Sequence, residues 1–268
     1  MRGASTRAAG AVVETVDQAV DSGADASGLG EELFSLCVVL DAEPTLRRVL
    51  TDPTVEADRK AELADGLLSD FSAPTVGVVT EAVRHRWSRP RDLADALEQG
   101  GISAFLAAAE SAGDLDELDD ELFRFARITE GDPELRDALN DRTAPVVARQ
   151  QLVDTLLDDR VSSAAVHLVR QAVAGRHRSV LSALSEMQRL AAARRERLVA
   201  VVRVARPLTK AMHKRLVTAL TERFGHELQL NVIVDPDVIG GARVTVGDQV
   251  VDGTVATRLA EAHRRLAG

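Results

Sequence analysis

An internal repeat constrains the fold of this 268-residue chain more than any other feature. Residues 33–72 align with residues 122–161 at a fixed offset of 89, without a gap, and 13 of the 40 positions are identical. The identical positions in the first segment are Leu33, Phe34, Pro44, Leu46, Arg47, Leu50, Asp52, Thr54, Leu63, Asp65, Leu67, Leu68 and Asp70. Two copies indicate a duplicated module, since stacked solenoids usually need three or more units.

Both copies have the periodicity of amphipathic helices, with apolar residues recurring every three to four positions. Pro44 and Pro133 each predict a short helix start, and Asp132 is a better cap than Glu43. The predicted stripes of the first copy are Val12, Val13, Val16, Ala19 and Val20; Leu33, Leu36, Cys37 and Leu40; Leu63, Leu67 and Leu68; Val76, Val79 and Val83; and Leu93, Ala96 and Leu97. Those of the second are Leu118, Leu122 and Phe125; Leu152 and Leu156; and Val166, Val169 and Val173. The second copy lacks an obvious counterpart of the first helix.

The remaining chain predicts a small α+β unit. We predict a long helix over 177–195 whose apolar stripe consists of Leu181, Leu184, Met187 and Ala191. A strand follows over 198–204. Pro207-Leu208-Thr209 then caps a second helix, which stops at Gly225 and carries Met212, Leu216, Leu220 and Phe224 on one face. Alternation over 228–234 predicts a second strand, ended by Asp235-Pro236. Beyond Gly240-Gly241, the pattern predicts a strand with Ala242, Val244 and Val246 on one face, a Gly247-Asp248 hairpin loop, and a final helix with Val255, Leu259, Ala262 and Leu266.

The predicted fold is therefore mainly α, with a duplicated amino-terminal helical bundle and a small α+β carboxy-terminal domain. We expect the first bundle copy over residues 1–110, the second, partial copy over 111–196, and the α+β domain over 197–268. Aromatic residues make up only 3% of the chain, so Ala, Leu and Val must build the core.

The sequence offers no local motif for catalysis or cofactor binding. The six histidines form no H-x-x-x-H pair, neither glycine-rich phosphate motif is present, and Cys37 lies on an apolar stripe as a buried, inert thiol. The acidic run 114–121 is interpreted as a solvated helix start. No window approaches ~18 consecutive apolar residues, and the first residues lack the apolar core of a secretory signal. We predict no catalytic, cofactor-binding or metal residues and no small-molecule substrate.

Charge is distributed unevenly along the chain. Residues 1–175 contain 17 basic and 33 acidic groups, a net charge of -16, whereas residues 176–268 contain 16 basic and 9 acidic groups, a net charge of +7. The two parts thus favour different partners.

One possible function is that of a helical adaptor or regulatory protein whose basic end binds nucleic acid. The absence of interleaved aromatic residues argues against that alternative.

Several motifs in the last third are similar to one protein family. Asp235-Pro236, Gly240-Gly241, Gly247-Asp248, Asp252-Gly253 and Arg258-Leu259 resemble a signature of the delta subunit of rotary F-type ATP synthases, the oligomycin-sensitivity-conferring protein family. The segment 203–209 and Gly175-Arg176-His177 also resemble family patterns. The duplication makes this chain similar to the enlarged bacterial members.

The resemblance implies a non-catalytic stator subunit without cofactors. It would link the catalytic head to the peripheral stalk, at the cytoplasmic face of the cell membrane, so that the head resists rotor torque during proton-driven ATP synthesis. The first bundle would bind amino-terminal helices of alpha subunits through helices near residues 7–20 and 76–86, and the α+β unit would bind the carboxy-terminal helix of stalk b subunits. Membrane association would occur only through the complex. The initial Met1 favours a separate polypeptide over a fusion with a stalk helix.

Overall fold

The computed structural model describes residues 3–157, 160–197, 199–224, 228–235, 238, 240–246 and 249–252. These residues form twelve helices and four strands: α1 (Ala4–Asp21), α2 (Ala26–Ala42), α3 (Pro44–Leu50), α4 (Ala57–Leu67), α5 (Ala73–Arg84), α6 (Arg91–Ala112), α7 (Leu115–Gly131), α8 (Pro133–Asn140), α9 (Val146–Leu157), α10 (Ser163–Ala172), α11 (Val180–Arg197), β1 (Val199–Val204), α12 (Lys210–Phe224), β2 (Gln229–Val234), β3 (Ala242–Val246) and β4 (Gln249–Asp252). The chain divides into two compact units, 1–190 and 191–268. The predicted fold class, mainly α with a small α+β part, is confirmed.

The helical order repeats along the first unit. Helices α2 to α6 begin at residues 26, 44, 57, 73 and 91, and helices α7 to α11 begin at residues 115, 133, 146, 163 and 180. The shifts are 89, 89, 89, 90 and 89 residues, so the helices follow the offset seen in the sequence. We call α2–α6 the first repeat and α7–α11 the second repeat. The division at residues 110, 111 and 196 stays a prediction.

The repeats also share the contacts that fix their loops. Glu32 accepts hydrogen bonds from Ser72 N and Oγ at 3.2 and 2.6 Å, and Glu121 accepts the same pair of bonds from Ser162 at 2.7 and 2.5 Å. Each carboxylate thereby ties the first helix of its repeat to the start of the fourth. The interpretation of residues 114–121 as a solvated helix start is wrong for Glu121, which is buried where it accepts hydrogen bonds from Ser162, the N-cap of α10.

A second shared contact is the turn that precedes the third helix of each repeat. Thr54 donates from N and Oγ1 to Asp52 Oδ1 at 2.8 and 2.7 Å. Thr143 makes the equivalent bonds to Asp141 Oδ1 at 2.9 and 2.7 Å. These side chains replace backbone partners in a turn, which explains why both residues of each pair are identical between the repeats.

A close helix crossing organises the core of the first unit. Gly30 of α2 and Gly101 of α6 face each other, and a Cβ on Gly101 would lie 2.6 Å from the ring of Phe34. Phe34 in turn stacks on Phe105 with ring centroids 5.6 Å apart. The two glycines let the backbones approach, and the two rings fill the space beside them. Helix α1 covers α6 on another side, where Val12 and Val16 are fully buried.

Most predicted apolar stripes are buried, but some of the predicted residues are not. Leu63 and Leu67 of α4, Leu156 of α9 and Met212 of α12 are exposed. In α4 the inward positions are Lys60, Ala61 and Ala64, one position around the helix from the leucines. Helix α11 starts three residues later than predicted, at Val180. Asp132 caps α8 by accepting from Glu134 N and Leu135 N, as its sequence indicates.

The second unit contains a four-stranded mixed sheet with strand order β2-β1-β3-β4. Strand β1 pairs in parallel with β2, which requires the crossover helix α12, and antiparallel with β3. Thr209 caps α12 by accepting from Met212 N at 3.3 Å. Alternate residues of the strands, including Ala200, Val202, Val244 and Val246, form the core with Leu220.

Strand and turn predictions in this unit are confirmed as far as the structure extends. Val246 of β3 pairs antiparallel with Gln249 of β4. Gly241 has a φ of 83°, a conformation that favours glycine. The predicted stop at Gly225, the loop Gly247-Asp248 and the final helix with Val255, Leu259, Ala262 and Leu266 lie outside the described residues.

Candidate functional site

The predicted partner-binding surface falls on two helices that pack against each other, α1 and α5. Ser5 fixes the start of α1, because its Oγ donates to Asp92 Oδ2 at 2.7 Å and accepts from Ser88 N at 2.8 Å. Both partners lie at the junction between α5 and α6. The predicted ranges 7–20 and 76–86 thus belong to one rigidly placed surface, which we call the α1/α5 face.

The α1/α5 face consists of small and polar residues. The outer row of α1 contains Arg7, Gly10, Glu14 and Gln18, all exposed. Gly10 and Gly77, on α1 and α5, have no atom within 4 Å of a Cβ built on them. The exposed large apolar side chains of the described first unit lie elsewhere: Val38, Val39, Val49, Val55, Leu63, Leu67, Phe123, Ile128, Val146, Val147 and Leu156. The face therefore suits a partner that supplies the large apolar side chains itself.

A buried ion-pair cluster joins the two repeats. Arg176, in the loop after α10, has a side chain only 6% exposed and contacts three carboxylates of the first repeat. Its Nη1 bonds Asp41 of α2, its Nη2 donates to Asp95 at 2.8 Å, and its Nε lies 3.1 Å from Glu98. Sequence reasoning singled out Gly175-Arg176-His177 only as a turn. Gly175 has a φ of 86°, as such a turn requires, but the arginine is the residue that makes the joint.

Two more side chains complete the environment of Glu98. Gln171 Nε2 donates to Glu98 Oε1 at 2.6 Å, and His177 Nε2 lies 3.4 Å from Glu98 Oε2. Burial raises the pKa of Glu98, but the bond to His177, the charge of Arg176 and the bond from Gln171 outweigh it and hold that pKa below its usual value. The bond to Glu98 raises the pKa of His177, against the opposing effect of its own burial.

These shifts predict a dependence of stability on pH. Protonated His177 stabilises the folded state fully below its unfolded pKa of 6.5, and this contribution is lost as pH rises through the higher folded pKa. Ionised Glu98 acts in the opposite sense, since its contribution is present above 4.5 and is lost as pH falls through the lower folded pKa. We expect the unfolding free energy of the first unit to fall as pH rises above about 6.5, by at most about 1.4 kcal/mol per pH unit for one proton.

Urea unfolding at several pH values checks this expectation. His177→Gln removes the titrating group and should flatten the decline above pH 6, whereas His85→Gln, which alters a histidine distant in sequence from the cluster, should leave it in place. An unchanged decline in His177→Gln would show that another group causes it.

No metal or membrane site emerges from the described part of the chain. Among those residues, no group of three or more His, Cys, Asp or Glu side chains could hold a metal ion. Within the same ranges, none of the helices has the length and apolar character needed to cross a membrane. Burial raises the pKa of Cys37, whose Sγ donates to Ala94 O at 3.3 Å, which agrees with the predicted inert thiol.

Comparison with known proteins adds a specific relationship to this architecture. Residues 103–266 match the family model for the ATP synthase delta (OSCP) subunit. The ATP synthase subunit delta of Streptomyces avermitilis is 47% identical over 268 residues, which cover 99% of this chain and 98% of the relative. The ATP synthase subunit delta of Thermobifida fusca is 43% identical over 270 residues, with both chains covered completely.

One solved structure, the Toxoplasma gondii mitochondrial ATP synthase hexamer, contains a chain that aligns with 62% of this chain and 95% of its own length. Its sequence identity is 16% and its TM-score is 0.32, values too low to support an argument. The sequence relatives and the family match carry the identification.

The fold and these relatives define a structural, non-catalytic subunit of the peripheral stalk of a rotary ATP synthase. The chain belongs to the ATP synthase delta (OSCP) subunit family. It is accordingly a peripheral part of the complex, and ATP synthesis is the process in which it takes part. The family resemblance seen in the sequence is confirmed.

Proposed function

We propose that this subunit is the stator link between the catalytic head and the stalk. The observation that carries the proposal is the combination of full-length similarity to delta subunits with a division into two compact units, 1–190 and 191–268. A link needs one binding unit for each partner, and the two units would supply them. We place the complex at the cytoplasmic face of the cell membrane, where the subunit would be attached only through its partners.

The helical unit would bind the head. Its α1/α5 face would receive an amphipathic amino-terminal helix of an alpha subunit, in the helix-in-groove manner. Gly10 on α1 and Gly77 on α5 each leave open space into which large apolar side chains of that helix would pack. The α+β unit would bind the carboxy-terminal helix of the stalk b subunit. A joint that resists torque needs large interfaces, on the order of 1,200 Å² or more in total.

A bulky side chain at Gly77, on the α1/α5 face, tests the contact with the head. We expect Gly77→Trp to abolish binding of a synthetic peptide containing the alpha-subunit amino-terminal helix, measured by calorimetry with the full chain. Gly77 lies in a helix with open space around its Cβ, so the change adds helix propensity and leaves the core intact. Binding should be lost because an indole would occupy the space of the peptide.

A matched control separates obstruction from a general effect of tryptophan. Gly66 on α4 is also helical, exposed and open around its Cβ. Gly66→Trp should bind the peptide as the parent chain does. Equal affinity of Gly77→Trp and Gly66→Trp would remove the α1/α5 face from the proposal.

A further inference from the structure

Helix α6 has the features of the first helix of the second repeat as well as the last helix of the first. Helix α1 ends in a pair of backbone bonds, Gly23 N to Val20 O and Ala24 N to Ala19 O. Helix α6 ends in the same pair, Gly113 N to Glu110 O and Asp114 N to Ala109 O, shifted by 90 residues. Both glycines have positive φ, 93° and 82°. The family match also begins inside α6, at residue 103. The expected lack of a counterpart for α1 is therefore resolved by a shared helix.

The same shift relates α5 to α10. The buried positions of α5 are Thr75, Val78, Val79, Ala82 and Val83, and their counterparts Ala165, Leu168, Val169, Ala172 and Val173 are all buried. Consequently the α1/α5 face of the first repeat has an equivalent in the second, on α6 and α10. We call it the α6/α10 face.

The two faces differ in the character of their outer rows. On α1 the outer row is Arg7, Gly10, Glu14 and Gln18, and a shift of 90 residues converts it to Leu97, Gly100, Ala104 and Ala108 of α6. The first three of these α6 residues are buried and Ala108 is half-buried. The outer row is mostly polar on the α1/α5 face, which is exposed to solvent, and it is apolar or small on the α6/α10 face, which other helices cover.

Helix α2 covers the α6/α10 face together with α1, since a Cβ on Gly100 would lie 3.2 Å from Val12 of α1 and 3.5 Å from Leu33 of α2. Gly101 and Phe105, the counterparts of Ala11 and Thr15, contact Gly30 and Phe34 of α2. The counterpart of Gly77 is His167, whose ring stacks on Phe105 at 5.1 Å between centroids. An aromatic side chain from α2 thus lies over a glycine of the face, in the manner proposed for the partner helix on the α1/α5 face.

Two polar contacts attach α2 to the second repeat, one in the first half of the helix and one near its end. Glu31 lies 3.2 Å from His167 Nε2, and Asp41 bonds Arg176. These positions are ten residues apart, about 15 Å along the helix. Two separated attachments fix the orientation of α2 as well as its position, so an incoming helix would have to break both before it could displace α2.

We propose that the chain fills the docking face of its second repeat with its own helix α2, so that the duplicated unit has one open helix-binding face and binds a single partner helix. The claim that the open face binds a partner helix rests on the proposed function. The duplication then enlarges the unit without doubling its attachment to the head. Helix α2 also indicates the chemistry of the partner: an amphipathic helix with a large apolar or aromatic residue that packs over the small residues of α1 and α5.

The stoichiometry of peptide binding tests the single open face. Titration of the alpha-subunit helix peptide into the full chain should saturate at one peptide per chain, and Gly77→Trp should abolish binding. Two sites in the parent chain, or one site that persists in Gly77→Trp, would overturn the proposal. A peptide that does not bind the parent chain at all would contradict the proposed function, and the labelling experiment below would then decide the occupancy of the second face alone.

Thiol labelling tests the covered face without any partner. Cysteines placed at equivalent positions of the outer rows, Glu14→Cys and Ala104→Cys, should react differently with a bulky maleimide, at least about tenfold slower at position 104, because Ala104 is fully buried and the helices that pack on α6 must move first. Cys37 is fully buried and should not react with the maleimide. Adding Phe34→Ala should speed labelling at position 104 and leave position 14 unchanged. Equal rates at the two positions in the folded chain would overturn the proposal.

Discussion

Replacing Arg176 by alanine should lower the unfolding free energy of the first unit by about 3–5 kcal/mol, the usual cost of removing one partner from a buried ion pair. The side chain of Glu98 is only 6% exposed and would lose the nearest positive charge in the cluster. Asp41 and Asp95 are more exposed and can recover solvent contacts, so Glu98 would bear most of the loss.

Urea denaturation followed by circular dichroism would measure this effect. Arg178→Ala, an exposed neighbour in the same loop, should change stability by no more than about 0.5 kcal/mol. The double change of Arg176→Met with Glu98→Gln removes both buried charges, so it should be less harmful than Arg176→Ala. If Arg176→Ala were as stable as Arg178→Ala, the cluster would not be what joins the repeats.

The second large effect is expected at the helix crossing. Gly101→Ala should destabilise the first unit by about 1–3 kcal/mol, the range for overpacking in a close-packed core. The new Cβ would lie 2.6 Å from Phe34 Cε1 and 3.2 Å from the carbonyl oxygen of Gly30, and the backbone atom cannot yield cheaply. The displacement would also disturb the ring of Phe105, which stacks on Phe34.

Gly66→Ala provides the matched control for this change. Both residues are helical glycines, but the Cβ at Gly66 would meet open space. Without a steric cost, the smaller conformational entropy of alanine in the unfolded chain should stabilise the protein by about 0.4–1 kcal/mol. Thermal or urea unfolding should therefore give changes of opposite sign. A stabilising Gly101→Ala would mean that α2 and α6 do not cross as closely as described.

The repeating order of the helices was predictable because it depends on local patterns that recur at one offset. The turn at Asp52 and Thr54, the proline starts at Pro44 and Pro133, and the alternation of β3 all involve neighbours in sequence. Such contacts leave a signal within a window of a few residues.

The joint between the repeats was not predictable in the same way. Arg176 meets Asp41 and Asp95, which are 135 and 81 residues away in sequence. No periodicity marks an arginine as buried, and composition favours the opposite expectation. Arg86 illustrates the difficulty, since it occupies the matching position after α5 at a shift of 90 residues and is exposed.

Identical residues in the repeats can also have different environments. Phe34 is 9% exposed because α6 covers it, whereas its repeat partner Phe123 is 53% exposed. Phe105, which packs against Phe34, is replaced at the offset of 89 by Arg194, so the aromatic pair cannot recur. The asymmetry arises from packing within the first repeat, where α6 places Phe105 against Phe34, so the identity of Phe34 and Phe123 alone does not reveal it.

One recovery experiment tests the stator account most directly. The full chain, tagged and expressed in cells that assemble the ATP synthase, would be recovered under gentle detergent conditions and its partners identified. The account predicts that alpha and b subunits are recovered together with the parent chain, and that Gly77→Trp retains b but loses much of the alpha subunit. Recovery of neither subunit, under conditions that keep the rest of the complex intact, would contradict the stator link.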